Sequence, residues 1–410
     1  MRREREVRIR CLGVLMAVMT LASLAPLPAS PQDTWTPART PWGDPDLSGV
    51  WDFKTLTPLE RPSELSGKDV LSDEDAAEYE RETLRALDKD RRTSDGLTAE
   101  QDVRNAYNQF WWDYGTKLTE DKRTSLIVDP PDGRIPPLTP EAQKARDIFR
   151  QFQLALLQPT VACKERQRGC AGGKYGPVSA RRNETPPMYL SGGIADGINR
   201  ADGPEERGLN ERCLAGAVPD FGNFVGGGFR RIVQAPGQIS MFYDGGQGWP
   251  RNIPITTAPH LPSTIRQWRG DSRGRWEGNT LVVDVTNFSP KSDFQGAHEN
   301  LHLVERWTRL DADTIEYAVT IEDLTTWTRP WTVKQELKKQ SDAANRIYYE
   351  PRCHEGNHGL IGVLAGARAA ERAFAEGRGP DPATLCTSFA GCGGFDFGFA
   401  AEGDDANPLR

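Results

Sequence analysis

The clearest hydrophobic pattern in the chain lies between residues 314 and 322, where side chains alternate between the two faces of an extended segment. One face is apolar and the other is mostly polar, with Ile315, Tyr317, Val319 and Ile321 opposite Thr314, Glu316, Thr320 and Glu322. A period of two residues is that of a β-strand with one buried face. The pattern therefore predicts a half-buried strand here.

Three further extended runs precede this strand and predict a meander between residues 265 and 323. Residues 301–309 lead into Asp311-Ala312-Asp313, which has turn chemistry, so the two strands are expected to form a hairpin. Residues 281–286 are rich in β-branched side chains. Residues 265–268 are predicted to be the first strand, followed by a turn at 270–274.

Other extended runs enlarge this predicted sheet. They occupy residues 47–51, 125–128, 230–234, 238–243, 331–337 and 346–353. The Gly49-Val50-Trp51 stretch resembles the opening of lipocalin-type barrels, where the Trp packs across the barrel floor. About eight strands close a small barrel around side chains or one ligand. The expected fold is therefore mainly β (α+β), either an antiparallel meander or a lipocalin-like barrel of about eight strands.

Helical patterns flank the predicted strands. Ser72 is a suitable N-cap for one helix and Thr139 for another. Residues 99–112 and 360–376 also have helical patterns. The sequence therefore predicts a helical N-terminal insertion at 70–160 and a C-terminal helix against the sheet.

The N-terminal residues have the composition of an export signal. Several Arg residues precede an apolar run that is too short to span a bilayer. We expect a signal peptide at 1–29, an extended Pro-rich arm at 30–46 and a single domain at 47–376. Within that domain an irregular, disulfide-pinned segment is expected at 159–220, and a loosely ordered tail follows at 377–410. The mature protein is predicted to be periplasmic or secreted, without a transmembrane segment.

The charge of the mature chain excludes one class of partner. Without the predicted signal peptide, 46 basic and 56 acidic side chains remain, a net charge near −10. Nucleic acids are polyanions, and no basic cluster interleaved with aromatic residues is present. We therefore expect no nucleic-acid partner.

Six cysteines follow the predicted signal peptide, an even number that fits disulfide bonds in an oxidising compartment. In the simplest pairing, two bonds close short loops and a third joins distant residues, giving Cys163–Cys170, Cys386–Cys392 and Cys213–Cys353. Other connectivities stay open, because spacing does not determine pairing.

Five motifs resemble those of a family of secreted bacterial proteins with no assigned activity. They are WGDPDLSGVW at 42–51, RTSLIVDPP at 123–131, GDSRGRWEG at 270–278, LHLVER at 301–306 and CHEGN at 353–357. The resemblance covers most of the mature chain and implies one fold and export rather than a particular chemistry. The chain departs from the family pattern at His358, where relatives carry Tyr, and in the tail with Cys386 and Cys392.

All histidines of the chain lie in its strand-rich C-terminal part, at His260, His298, His302, His354 and His358. His302 shares a strand face with Arg306, so the two side chains are expected to line one cavity. A hydrogen-bonded histidine within the sheet is the alternative. His302, His354, Glu355 and Arg306 are the candidate catalytic groups. Three carboxylates qualify only if the fold brings them together, namely Asp271, Asp284 and Glu305.

Residues 354–358 spell H-E-x-x-H, the spacing of zinc peptidases. There, a helix places both imidazoles on the metal while Glu activates the bound water. Gly356 and Asn357 are poor helix formers, and no later His supplies a third ligand. Zinc held by His354 and His358 is therefore the alternative, and no cofactor is the expectation.

Aromatic residues at strand positions suit the stacking of a planar ligand, with core packing as the alternative use: Trp268, Trp276, Trp307 and Tyr317. The sequence therefore predicts an exported protein that binds a small organic molecule, aromatic or apolar, in a barrel cavity, with acid/base conversion as an extension. Two alternatives stay open, a zinc-dependent hydrolase or peptidase and a structural envelope protein.

Overall fold

The structure is a computed structural model that describes residues 35–88, 115–188, 198–209, 211–214, 218–221, 228–243, 250–341 and 358–386. Two compact units divide the chain, Met1–Thr36 and Pro37–Arg410, and every element below belongs to the second. Several predictions fall outside the described residues, namely the signal peptide, the helix at 99–112 and the strand at 346–353.

Ten strands and four α-helices occupy the described part of the second unit. The strands are β1 (Gly49–Asp52), β2 (Ile127–Asp129), β3 (Phe229–Ala235), β4 (Gln238–Tyr243), β5 (Arg251–Pro254), β6 (Asp271–Glu277), β7 (Thr280–Thr286), β8 (His302–Arg309), β9 (Thr314–Glu322) and β10 (Trp331–Lys339). The helices are α1 (Asp73–Leu87), α2 (Pro140–Leu157), α3 (Val161–Lys164) and α4 (His358–Ala375).

The strands form one antiparallel sheet in the order β5-β4-β3-β1-β10-β9-β8-β7-β6, with β2 paired to β10. The two ends of this order meet. Ile255, just after β5, forms a parallel bridge with Gly274 of β6, and Thr256 N donates to the Gly274 carbonyl at 3.0 Å. The sheet is a nearly closed barrel, which confirms the predicted barrel fold with helical insertions.

Alternate side chains of the strands fill the barrel interior. In β9 the apolar face predicted from the sequence is buried, from Ile315 to Ile321. Trp51 and Trp331 belong to the same core cluster. Burying this much apolar area supplies most of the favourable free energy of folding.

The start of the meander differs from the prediction. Residues 265–268 form no strand, and residues 271–274 of the predicted turn at 270–274 are instead part of β6. Gly274 looked like a turn residue, but it serves close packing within the sheet. A Cβ there would lie 2.8 Å from Ile255 Cδ1 and 2.9 Å from Ile253 Cγ2. Strand β5, on the other side of this contact, was not predicted.

Two helices begin where the sequence predicts. Ser72 Oγ accepts a hydrogen bond from Asp75 N, and Thr139 Oγ1 accepts one from Ala142 N. Pro140 is the first residue of α2, where a missing N–H is harmless. Within the described ranges, no helix is both long enough and apolar enough to cross a membrane.

The Cys163–Cys170 disulfide is present as predicted. It closes a short loop around α3 in the irregular segment. Cys213 and Cys386 are also disulfide-bonded. Their predicted partners, Cys353 and Cys392, lie outside the described residues. Disulfides are typical of proteins in oxidising compartments.

Candidate functional site

An ion pair lies inside the barrel. Arg251 on β5 is 4% exposed and Glu305 on β8 is 1% exposed. The guanidinium donates two hydrogen bonds to the carboxylate, Nη1 to Oε1 at 3.0 Å and Nη2 to Oε2 at 2.6 Å. Ser272 Oγ accepts from Arg251 Nε at 3.2 Å, and Tyr317 OH donates to Glu305 Oε1 at 2.8 Å. The pair is therefore fully hydrogen-bonded, as a buried charge requires.

The hydroxyl of Tyr317 stays a donor in this network. Burial, followed by the neighbouring charge of Glu305, raises the pKa of Tyr317 well above its usual value. A protonated phenol satisfies Glu305 without adding negative charge to the interior.

Arg230 on β3 is a second buried guanidinium, 1% exposed. Its carbon Cζ lies over four aromatic rings, at centroid distances of 4.1 Å for Phe53, 5.4 Å for Tyr243, 5.5 Å for Trp307 and 5.4 Å for Tyr317. We call these five residues the Arg230 cage. Such contacts stabilise a cation by attraction to the ring faces.

Two buried donors of the Arg230 cage have no hydrogen-bond partner among the described residues, Arg230 Nε and Trp307 Nε1. Arg230 Nη2 donates to the carbonyl of Asp220 and lies 3.5 Å from the Asp220 carboxylate. Arg230 Nε is buried and has no hydrogen-bond partner among the described residues. Buried donors in folded proteins are nearly always paired, so this one is a candidate contact for a ligand.

The cage approaches solvent at a rim formed by Asp220 and Arg269. The Asp220 side chain is 30% exposed. The Arg269 guanidinium lies 5.8 Å from the ring centroid of Tyr243, a member of the cage. Burial lowers the pKa of Arg269. The rim therefore connects the interior cation with water.

A second polar group lies on the outer face of the sheet. His260, in the connection between β5 and β6, has Nδ1 2.9 Å from Asp271 Oδ2 and Nε2 2.8 Å from Asp284 Oδ1. His302 has Nε2 3.1 Å from Asp284 Oδ2 and Nδ1 3.5 Å from Glu322 Oε2. We call Asp271, His260, Asp284, His302 and Glu322 the acid–imidazole chain.

Strand register assembles the acid–imidazole chain. In the β8–β9 pair, His302 is directly opposite Glu322. In the β7–β8 pair, Asp284 is opposite Val304, one position along the same face from His302. Two carboxylates that the sequence analysis considered, Asp271 and Asp284, thus meet on opposite sides of one imidazole.

The carboxylate of Asp284 is held in its ionised form. Burial acts to raise the pKa of Asp284, but hydrogen bonds and charges from His302 and His260 outweigh it. The pKa of Asp284 therefore lies below its usual value. A single carboxylate, with one oxygen for each imidazole, orients both rings.

The structure places His302 and Arg306 on the opposite face from the one expected. Both project outward, and Arg306 pairs with Glu277 at 2.8 Å. The interior positions of β8 belong to Leu303, Glu305 and Trp307. The strand alternation was predicted correctly, but the face that turns inward is the one that carries Glu305. This acidic residue is buried because Arg251 neutralises it.

The structure does not bring the remaining candidate histidines together with the acid–imidazole chain. His298 lies apart from the acid–imidazole chain, with Nδ1 2.5 Å from the Ser292 carbonyl oxygen. His354 and Glu355 lie outside the described residues, so their proposed role stays a prediction. His358 is exposed at the first position of α4. In the described part of the chain, no three His, Cys, Asp or Glu side chains are arranged to hold a metal ion.

The candidate aromatic residues divide between core and surface. Trp307 and Tyr317 are buried with ring centroids 4.3 Å apart, and both belong to the Arg230 cage. Trp276 is half-buried against the core, and Trp268 is exposed by 38%. Arg230 itself was not predicted as a site residue, because an arginine in a strand pattern is typical of the protein surface.

An open cleft of about 790 Å³ lies at the irregular segment. Its charged lining is mixed in sign, with Arg182, Arg200 and Lys291 beside Asp202 and Glu206. Arg200 is already paired with Glu206 at 2.5 Å and donates to the Glu184 carbonyl. The charge of Arg200 in this cleft is thus already paired.

No protein-family model and no curated protein matches the sequence. Among solved structures, the chain is similar to a secretory abundant heat soluble protein from Ramazzottius varieornatus, with 12% identity, a TM-score of 0.19, and coverage of 27% of this chain and 70% of that one. Secretory abundant heat soluble protein 4 of the same organism matches with 12% identity, a TM-score of 0.19, and coverage of 28% and 69%. At this TM-score the likeness carries no argument about function.

Proposed function

We propose that the protein binds a small organic molecule that carries a negatively charged group, such as a carboxylate, with that group at Arg230. The observation behind the proposal is the unpaired Nε of a guanidinium that is only 1% exposed. Guanidinium groups bind carboxylates through charge-assisted hydrogen bonds. A ligand carboxylate would satisfy the buried Nε of Arg230.

The surroundings of Arg230 favour an aromatic or apolar ligand body. Four rings surround the guanidinium, and Trp51 and Trp331 fill the core cluster of the barrel. The ligand body therefore extends from the cage towards the rim at Asp220 and Arg269. Acid/base conversion is not part of this proposal, because His302, the described histidine among the candidate catalytic groups, lies on the outer face of the sheet.

Fluorescence titration with a matched pair of probes tests the proposal. 11-(Dansylamino)undecanoic acid carries a carboxylate, and its methyl ester is neutral but otherwise alike. We expect the acid to bind and Arg230→Gln to weaken it about tenfold or more, the effect of one lost charged hydrogen bond. The ester is expected to bind weakly, and equally to both proteins.

Arg231→Gln is the matched control, because Arg231 is the next residue on β3 and lies on the other face. Its affinity for the acid should equal that of the wild type. Circular dichroism checks that each variant is folded, and Arg230→Lys, which keeps the charge, should retain part of the affinity. Equal binding of acid and ester, or no binding of either by the wild type, contradicts the proposal.

A further inference from the structure

Beyond the contacts of Ile255 and Thr256, two attachments hold the connection between β5 and β6, residues 255–270, to the sheet. At one, Leu261 N donates to Asp271 Oδ2 at 2.9 Å, and Asn287 Nδ2 donates to the Leu261 carbonyl at 2.7 Å. At the other, Gln267 N donates to the Asn287 carbonyl at 2.9 Å. His260 belongs to the first attachment, where its ring lies between two carboxylates.

Both imidazoles of the acid–imidazole chain face a carboxylate at each ring nitrogen. An ionised carboxylate accepts hydrogen bonds but donates none, so each hydrogen-bonded contact requires an N–H. His260 makes two such contacts, at 2.9 and 2.8 Å, and a histidine ring carries two N–H groups only when it is protonated. The geometry at His260 is therefore that of an imidazolium ion between two carboxylates, whereas His302, whose Nδ1 lies 3.5 Å from Glu322, requires an N–H only at Nε2.

A protonated His260 places a positive ring between two carboxylates, Asp271 and Asp284. The other charged groups beside the two rings are Glu322 and Arg273, and Arg273 Nη1 lies 2.8 Å from Asp271 Oδ1. Together with the two histidines these residues come from β6, β7, β8 and β9 and from the connection itself.

Loss of a proton from His260 disrupts one of the two contacts between its ring and the carboxylates. One ring nitrogen then presents a lone pair to a carboxylate oxygen at under 3 Å, which is repulsive. Both carboxylates belong to the sheet, whereas His260 belongs to the connection. The repulsion therefore acts between the connection and the sheet.

We propose that the acid–imidazole chain is a pH-operated clasp that holds the His260 end of the connection to the sheet. The clasp is closed when His260 carries a proton on both ring nitrogens and opens when it loses one of them. The same connection carries Arg269, which lies at the rim of the barrel. The inference does not depend on the proposed ligand.

Hydrogen–deuterium exchange of the wild-type protein at pH 5.5 and pH 8.0 tests the clasp. After correction for intrinsic exchange, amides of residues 257–264 should exchange about tenfold faster at pH 8.0, as for one lost charged hydrogen bond. The Leu261 amide is the most direct reporter, because its acceptor oxygen also contacts His260. Equal corrected rates at the two pH values would overturn the proposal.

Variants identify the residues responsible. His260→Gln and His302→Gln should each remove or reduce the change in exchange rate between the two pH values. His298→Gln should keep it, because His298 is not part of the acid–imidazole chain. A full pH step in both His260→Gln and His302→Gln overturns the inference. Nitrogen-15 spectra of the wild-type histidines give a readout that needs no variant. Protons on both ring nitrogens of His260 at pH 5.5 support the clasp, and a neutral ring at that pH refutes it.

Discussion

Arg251 and Glu305 lie 54 residues apart in sequence and meet inside the barrel through two hydrogen bonds of 3.0 and 2.6 Å. Their strands, β5 and β8, are not neighbours in the sheet. The contact therefore forms only when the sheet has curved far enough to bring distant strands face to face. It links the closing of the barrel to the pairing of two charges.

Removing one partner of this pair should be strongly destabilising. Glu305→Ala leaves the Arg251 charge buried and unpaired, and we expect a loss of about 3 to 5 kcal/mol in the free energy of unfolding. Urea denaturation measures it. Glu316→Ala, which breaks a partly exposed pair with Lys334 on the outer face, should cost under about 1 kcal/mol. The double variant Arg251→Met/Glu305→Leu should lose much less than Glu305→Ala, and an equal loss would contradict this account.

Stability should depend on pH through Asp284. Because its pKa is lowered on folding, its contribution is present above the pKa of the unfolded carboxyl and is lost as the pH falls through the lower, folded value. Asp284→Asn should therefore be less stable than the wild type at pH 6 by about 1 kcal/mol, a modest value because the group is partly exposed. The difference should shrink as the pH approaches 3. Thermal unfolding across this range checks the trend, and a constant difference would be inconsistent with it.

A methyl group at Gly274 should weaken the contact between β5 and β6. Gly274→Ala would push Cβ against Ile255 and Ile253, and we expect a loss of about 1 to 3 kcal/mol. Gly366→Ala is the control, because this helical position on α4 has open space around it. There the substitution should be neutral or stabilising by up to about 1 kcal/mol. The denaturation midpoints of the two variants are compared with that of the wild type. Equal shifts would show that close packing at Gly274 does not contribute to stability.

The Cys163–Cys170 bond should stabilise the irregular segment. Closing a loop of this length restricts the unfolded chain, and the Cys163→Ala/Cys170→Ala variant should lose about 2 to 3 kcal/mol. Limited proteolysis near α3 should be faster in the variant. Unchanged proteolysis and stability would show that α3 is held by packing alone.

Local patterns in the sequence predicted much of the fold. The alternation at 314–322 gave β9 and its buried face, and Ser72 and Thr139 marked two helix starts. Each of these depends on residues close together in the chain. The pattern failed at residues 271–274, where side chains typical of a turn occupy a strand, because their roles are set by contacts with β5 and His260.

The candidate site was harder to predict, since it depends on register between strands. Which histidine approaches Asp284 follows from the pairings of β7 with β8 and of β8 with β9. The sequence also did not show which face of β8 turns inward. A glutamate in a strand is expected to be exposed, and the burial of Glu305 is explained only by its contact with Arg251 across the barrel. Sequence spacing alone contains neither relationship.

The β5–β6 junction is one of two narrow joints in the described part of the barrel wall. There the strands are joined by the Ile255–Gly274 bridge and the Thr256–Gly274 hydrogen bond, and at the other joint β1 and β10 share two residue pairs. The other strands that are neighbours in the order from β5 to β6 share at least four pairs. Separation of β5 from β6 would leave the ladders on either side intact. Molecules too large for gaps between paired strands would then pass laterally, through the side of the wall.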